Sequence, residues 1–400
     1  MLYPSLFVGA VWDSNPNQAP SNQAARVSSG SFPDSGTSLA VSPRVVATTT
    51  DGGMHSSTLY GVGDFQFFNT NTATADAGFA HNYKPTDDLS FDLSFRYTRQ
   101  TDLFTSALNF NNNAIGLQGG PAIPNPTIIN PFGTTPNVNP VAFNQYAVGG
   151  DVTKNWDTWF ATLAGNAYAI DYDHANNIPA PFNTSQDGTS LWVTGKVGWH
   201  FIPSLYAFAE GDGVWQRFQN SIFDTNGYRV VGGFGADSSE SLVKGEVYGG
   251  YQFQNQEGQT VPVPNVSADS QSSVFGGRMT YNPTPYWTWI GIVDEVLGMS
   301  TFQAIGLPQG VPTLVTTGTL QTTYGLSQQW SIGARAGYTR ANYYDLGRVD
   351  NGWMVGASFN YEIWRNLLLT LDYQYSTLNS ILVFNQFGRN VATAGITYKY

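Results

Sequence analysis

The chain closes on Val391-Ala392-Thr393-Ala394-Gly395-Ile396-Thr397-Tyr398-Lys399-Tyr400. Side chains alternate across a β-strand with period two. Ala392, Ala394, Ile396, Tyr398 and Tyr400 therefore share one face, and Thr393, Gly395, Thr397 and Lys399 share the other. One face is apolar and one is polar, and the sequence stops on an aromatic residue. A terminal strand of this kind is expected to close a transmembrane β-barrel, with lipid on its apolar face and water on its polar face.

The pattern recurs upstream. Leu89, Phe91, Leu93, Phe95 and Tyr97 alternate with Ser90, Asp92, Ser94, Arg96 and Thr98. Leu367, Leu369, Leu371, Tyr373 and Tyr375 alternate with Thr370, Asp372, Gln374 and Ser376. Leu191, Val193, Val197, Trp199 and Phe201 alternate with Thr194, Lys196 and His200. Working outward from these segments gives about eighteen strands, an even number, as bacterial barrels require. Short connections such as Asp51-Gly52-Gly53, Asn155-Trp156-Asp157, Ile202-Pro203-Ser204 and Trp364-Arg365-Asn366 mostly alternate with long ones. Short periplasmic turns and longer external loops produce that alternation; a soluble sandwich has no reason to. The fold class expected is an all-β, antiparallel, up-and-down transmembrane barrel forming one domain over residues 1–400. Aromatics gather near the turn-side strand ends, among them Trp156, Trp159, Trp199, Tyr206, Tyr281, Trp330, Tyr361 and Trp364. They are expected to form a belt at the bilayer interface.

Composition agrees. Charged residues make up 11% and aromatics 14%, against about 25% charged in soluble domains. Mean hydropathy is −0.21. No apolar run approaches the ~20 residues of a membrane-spanning helix, so a spanning chain must close its backbone hydrogen bonds as a barrel. Cysteine is absent, which removes thiolate metal sites and cysteine nucleophiles and suits an oxidising envelope compartment. The net charge of −11 argues against a nucleic-acid partner. Met1-Leu2-Tyr3-Pro4 has neither the basic nor the apolar region of a secretion signal, so the sequence reads as a mature or engineered form.

A barrel of this size leaves an aqueous channel, so the working surface is expected to be its lumen. The inward charges expected are Asp64, Asp92, Arg96, Lys196, Glu210, Asp212, Lys244, Glu246, Arg278, Arg335, Asp372 and Lys399. Both signs occur, and Lys244 and Glu246, two apart on one face, are expected to neutralise each other. The long segment 104–140 follows the fifth strand and carries no charge. In position and length it resembles the constriction loop of general porins, without that loop's acidic residues. Asn111, Asn112, Asn113, Gln118, Asn125 and Asn130 offer amides to an uncharged sugar instead; an external cap is the alternative. His174 beside Asp173 is a lone pair with no nucleophile motif. No metal-ligand spacing is visible, and no cofactor or catalytic residue is expected.

The opening run Tyr3-Pro4-Ser5-Leu6-Phe7-Val8-Gly9-Ala10-Val11-Trp12-Asp13-Ser14-Asn15 resembles the start of a proteobacterial family, the β-barrel porins of the second type. Those begin with a proline, an alternating strand and an aromatic-Asp-x-Asn step. The aromatic carboxy-terminus, carried here by Ile396, Tyr398 and Tyr400, is similar to the signal read by the barrel assembly machinery. Tyrosine stands where phenylalanine is commoner. The resemblance implies an outer-membrane location, contact with lipid and lipopolysaccharide, and a role as conduit in exopolysaccharide export beside periplasmic export components. Three functions follow as expectations: a channel for polysaccharide or small polar solutes, a plugged barrel whose loops bind a surface partner, and an outer-membrane enzyme.

Overall fold

The computed structural model describes residues 2–101 except 16–20, 22, 24–34, 52 and 69–71. It also describes residues 142–400 except 174–186, 220, 222–223, 238–241, 258–268, 301–310, 345–346 and 382–385. Segment 104–140, with Asn111, Asn112, Asn113, Gln118, Asn125 and Asn130, and His174 lie outside the described residues.

Eighteen antiparallel strands run β1 (Leu2–Asp13), β2 (Gly36–Asp51), β3 (His55–Phe68), β4 (Thr72–Thr86), β5 (Leu89–Thr101) and β6 (Ala142–Asn155). They continue β7 (Trp159–Tyr172), β8 (Gly188–Ile202), β9 (Leu205–Phe218), β10 (Thr225–Ala236), β11 (Val243–Gln256) and β12 (Asp269–Thr284). The last are β13 (Trp287–Ser300), β14 (Val311–Gly325), β15 (Trp330–Tyr343), β16 (Arg348–Trp364), β17 (Leu367–Asn379) and β18 (Phe387–Lys399). Each strand pairs with its neighbours in sequence, and β1 pairs with β18 to close the ring. Closure removes the open edge that hydrocarbon could not hydrogen-bond.

The outer face is apolar and uncovered: Leu59, Leu163, Val247 and Phe234 are 57–62% exposed. In water, contiguous exposure of this kind would drive aggregation; in a bilayer it is the surface that lipid solvates. Trp156, Trp159, Trp199, Trp330 and Trp364 lie on or beside the short turns and are 40–72% exposed. Tyr206 does not join them. It points inward and is 6% exposed, because its hydroxyl reaches a carboxylate on the inner wall.

Two features fix the ring. In the turn between β4 and β5, Asp88 pairs with Lys154 and accepts from Thr86 Oγ1 at 2.6 Å. Lys154, then Thr86, holds its carboxyl below the ordinary range. At the closing seam, Ser5 faces Lys399 and Asp13 faces Val391 in register. Arg389 Nε donates to both oxygens of Asp13 at 2.9 and 3.1 Å, tying β18 to β1. Each partner is only 12% exposed, so a lone Asp13 would be poorly solvated. Arg389→Met is expected to lower stability by about 3 kcal/mol, read as the urea midpoint for refolding into lipid vesicles.

Candidate functional site: the charged inner wall

The strand alternation decides which side chains can meet. On the outer face, Val193, Val197, Ala209, Val230 and Val247 are apolar. Between them Lys196, Glu210, Asp212, Arg229 and Glu246 turn to the concave side. Lys196 Nζ lies 2.5 Å from Glu246 and 3.9 Å from Glu210. Arg229 donates from Nε to Asp212 at 2.6 Å and from Nη2 to Glu210 at 3.1 Å. Thr194 Oγ1 donates to Asp212 at 2.6 Å, and Tyr206 Oη donates to Glu246 at 2.5 Å. Lys196 stands on β8 and Glu246 on β11, with two strands between. At ~4.8 Å per strand that is about 14 Å across the strands, and the register sets Lys196 level with Gly250, four residues along β11 from Glu246. Only side chains converging inside a curved wall can span that gap.

Glycine supplies the clearance. Tyr206 crosses Gly235 of β10 on its way to Glu246, and a Cβ at Gly235 would collide with its ring. Arg335 on β15 crosses Gly356 of β16 to reach Asp372 on β17, with two parallel bonds of 2.7 Å. A Cβ at Gly356 would stand 2.8 Å from Arg335 Nε. Such two-bond pairs are the strongest geometry for guanidinium and carboxylate.

All twelve charges expected inward lie on the face opposite the exposed apolar side chains. The structure joins Lys196, Glu210, Asp212 and Glu246 into one cluster, pairs Arg335 with Asp372, and pairs Arg96 with Asp76. Lys244 and Glu246 do not neutralise each other as expected. Same-face residues two apart stay on one strand, whereas Lys196 and Tyr206 lean across from other strands and take Glu246. Among the described residues Arg44, Lys244, Arg278 and Lys399 form no ion pair, and neither do Asp64, Asp92 and Asp151. Asp92 and Asp151 face each other in register on β5 and β6. Lys244 and Arg278 are inward on β11 and β12. Arg44 and Lys399 flank Ser5 in register, on β2 and β18. The unpaired charges thus occupy separate sectors of the wall.

Sequence reasoning missed Asp76, Arg229, Tyr248 and Asp294. Arg229 alternates with Tyr228 and Val230 and could have been found by face. Asp76 sits among alanines, and Asp294 follows an apolar run, Ile290 to Val293, so neither strand shows a clear alternation.

Exposure on the inner wall differs between sectors: beside the short turns of β7 and β9, inward Phe160, Tyr206 and Phe208 are 6–8% exposed. Towards the long connections Thr313, Asp350, Met354 and Ser376 are at most 1% exposed. Towards the short turns Arg278 and Lys399 are exposed.

Catalytic geometry is sparse. Ser57 Oγ lies 2.8 Å from His81 Nδ1, but no carboxylate among the described residues bonds the His81 ring, so no triad forms. No group of three or more metal-ligating side chains occurs among the described residues.

A closed 18-stranded ring with a lipid-solvated outer face and a charged inner face is a bacterial outer-membrane β-barrel. Residues 126–400 match the family described as Putative beta-barrel porin 2, and the chain belongs to that family. No curated protein matches the chain. Among solved structures it is similar to the outer membrane protein opdK from Pseudomonas aeruginosa, at 8% identity and a TM-score of 0.46, covering 100% of this chain and 99% of that one. It is also similar to OccAB4 from Acinetobacter baumannii, at 10% identity and 0.43, covering 100% and 98%. The siderophore receptor PirA from Pseudomonas aeruginosa matches at 6% identity and 0.43, covering 100% and 80%.

Proposed function

We propose that this barrel, a single domain over residues 1–400, is an aqueous channel whose cargo is a polysaccharide or small polar solutes, as the outer-membrane conduit of an exopolysaccharide system. The observation that carries the reading is the inner wall itself. An 18-stranded barrel is too wide for its own wall residues to fill, and this wall carries charges of both signs on its inner face. Towards the short turns, exposed Arg278 and Lys399 and half-buried Lys244 and Arg44 offer cations without an ion pair among the described residues. They favour acidic sugar units over neutral ones.

Stepwise currents are expected in planar bilayers, with oligosaccharide fragments blocking them. Lys244→Glu with Arg278→Glu should move the reversal potential in a salt gradient towards cation selectivity. A barrel that refolds fully and yields no stepwise current would sink the channel reading. The burial of Met354, Asp350 and Ser376 towards the long connections favours a second reading, a closed lumen with a scaffold role.

Assembly is proposed to depend on Ile396, Tyr398 and Tyr400 as the signal met by the barrel assembly machinery, with lipopolysaccharide around the finished wall. Tyr398→Asp with Tyr400→Asp is expected to abolish the heat-modifiable form in cell envelopes. Normal amounts of that form would refute the assignment.

A further inference from the structure

The ladder between β12 and β13 stops halfway. It has seven register pairs, ending at Gly276 and Asp294, whereas β11–β12 has thirteen and β13–β14 fourteen. Beyond that point residues 269–275 of β12 pair only with β11, and residues 295–300 of β13 pair only with β14. From there the hydrogen bonding forks: β13 leaves the ladder but stays packed against β12 and leans towards β11.

Side chains cap the parted edges. Gln252, on the inner face of β11, reaches past β12 to β13. It donates to Leu297 O at 2.7 Å and accepts from Leu297 N at 3.0 Å. Ser272 Oγ donates to Ser273 O at 2.9 Å. Buried backbone groups need such partners where the ladder cannot serve them. At the base of the fork Tyr248 Oη donates to Asp294 at 2.6 Å, over Gly276. Val296 and Leu297 point to opposite faces yet are 8% and 2% exposed, so β13 is shielded on both sides above the fork. Just below it, outward Val293 is 38% exposed.

The break in the ladder lies at a defined depth. Tyr251, in register with Ser273, and Phe275 are outward and 40–45% exposed. Tyr251 belongs with Tyr228 and Phe253, which stack on each other at the long-connection end. Aromatics there mark the outer-leaflet interface. Around the fork the outward side chains turn polar: Gln271, Ser273, and Glu295, which accepts from Thr316 Oγ1 at 2.7 Å.

We infer that the β12–β13 fork is a lateral portal between the lumen and the outer leaflet, and that its occupant is an amphiphile with an acyl chain and an uncharged, hydroxyl-bearing head. A freely soluble solute gains nothing from an exit into hydrocarbon. An amphiphile keeps its tail in lipid while its head exchanges hydrogen bonds with Gln252, Ser272, Ser273 and Thr316. The carboxylates of Asp294 and Glu295 repel an anionic head. Opening the fork parts no ladder bond; it releases the two Gln252 bonds to Leu297. The portal is a second path, distinct from axial diffusion.

The chain has no cysteine, so Phe275→Cys with Glu295→Cys places one thiol on each side of the fork, both outward beside the last ladder pair. The barrel is reconstituted in phospholipid vesicles with submicellar dodecyl maltoside carrying a diazirine in its alkyl chain, then irradiated. Before cross-linking, the label is expected on peptides bearing inner-face Gln252 and Ser272. A short bis-maleimide across the two thiols should lower that labelling at least fivefold, while vesicle swelling in a small sugar stays unchanged. Gln252→Ala should raise inner-face labelling severalfold; if that variant does not assemble, the cross-link decides. Inner-face labelling that is absent from the unlinked barrel, or unchanged by the linker, overturns the portal. Loss of swelling with linker-sensitive labelling retained would overturn axial conduction and leave the portal standing.

Discussion

Arg229→Met is expected to remove about 3–5 kcal/mol of stability, among the largest losses for any single truncation in the wall. Arg229 is 13% exposed and the Asp212 side chain 2%. The guanidinium holds Asp212 at 2.6 Å and Glu210 at 3.1 Å. Without it, among the described residues Asp212 retains only the Thr194 hydroxyl, and Glu210 retains Lys196 at 3.9 Å. A buried carboxylate stripped of its cation costs far more than the pair was worth, because desolvation is no longer offset. Reversible urea unfolding in vesicles measures the loss. Adding Asp212→Asn should recover part of it, since the amide needs no counter-charge. A loss under 1 kcal/mol in the single variant would show that the cluster is well hydrated. Channel currents of the surviving fraction should lean towards cations, since two carboxylates then face the lumen with less compensation.

Gly245→Val should yield no refolded barrel. Gly245 sits in β11 at φ +144°, a conformation that costs a side-chain-bearing residue about 1–3 kcal/mol. A Cβ there would also collide with the carbonyl oxygen of Arg278 on β12. That atom is backbone and cannot swing away. Relief requires β11 and β12 to part where Gly245 faces Met279. The shift would carry neighbouring Glu246 away from Lys196 and Tyr206, so strain and loss of the cluster compound. Gly245→Ala brings the same Cβ against the Arg278 carbonyl oxygen and is expected to lower both the refolded yield and the urea midpoint, by less than valine, whose two further methyls need still more room. Heat modifiability on gels checks both. Wild-type recovery of Gly245→Val would show that the ladder yields there at little cost.

Much of the architecture could be read from the sequence because a barrel wall repeats one rule. Leu89 to Thr98 and Leu367 to Ser376 show their faces outright, and Val391–Lys399 pairs with Ser5–Asp13 as a closing strand must. Lys196, Glu210, Asp212 and Glu246 were each legible as inward by alternation alone. Their partnerships were not. Lys244 and Glu246 looked like a pair because they are near in sequence, yet Glu246 binds Lys196, fifty residues away. Tyr206 looked like a belt residue because it follows a turn, yet its even position places it inward beneath Lys196. Asp294 was hidden in an apolar run, and the β12–β13 fork has no sequence mark at all.

The sequence by itself determined the strand faces, the closed all-β ring and its setting in a membrane. Period-two alternation is local, and lipid admits no other solution for a chain without spanning helices. The tertiary structure alone decided which inward charges meet, where glycine lets a side chain cross a neighbouring strand, and where the ladder breaks. Those depend on register and curvature, which bring residues fifty to several hundred positions apart within 3 Å. Arg389 and Asp13, at the two ends of the chain, meet only because the ring closes.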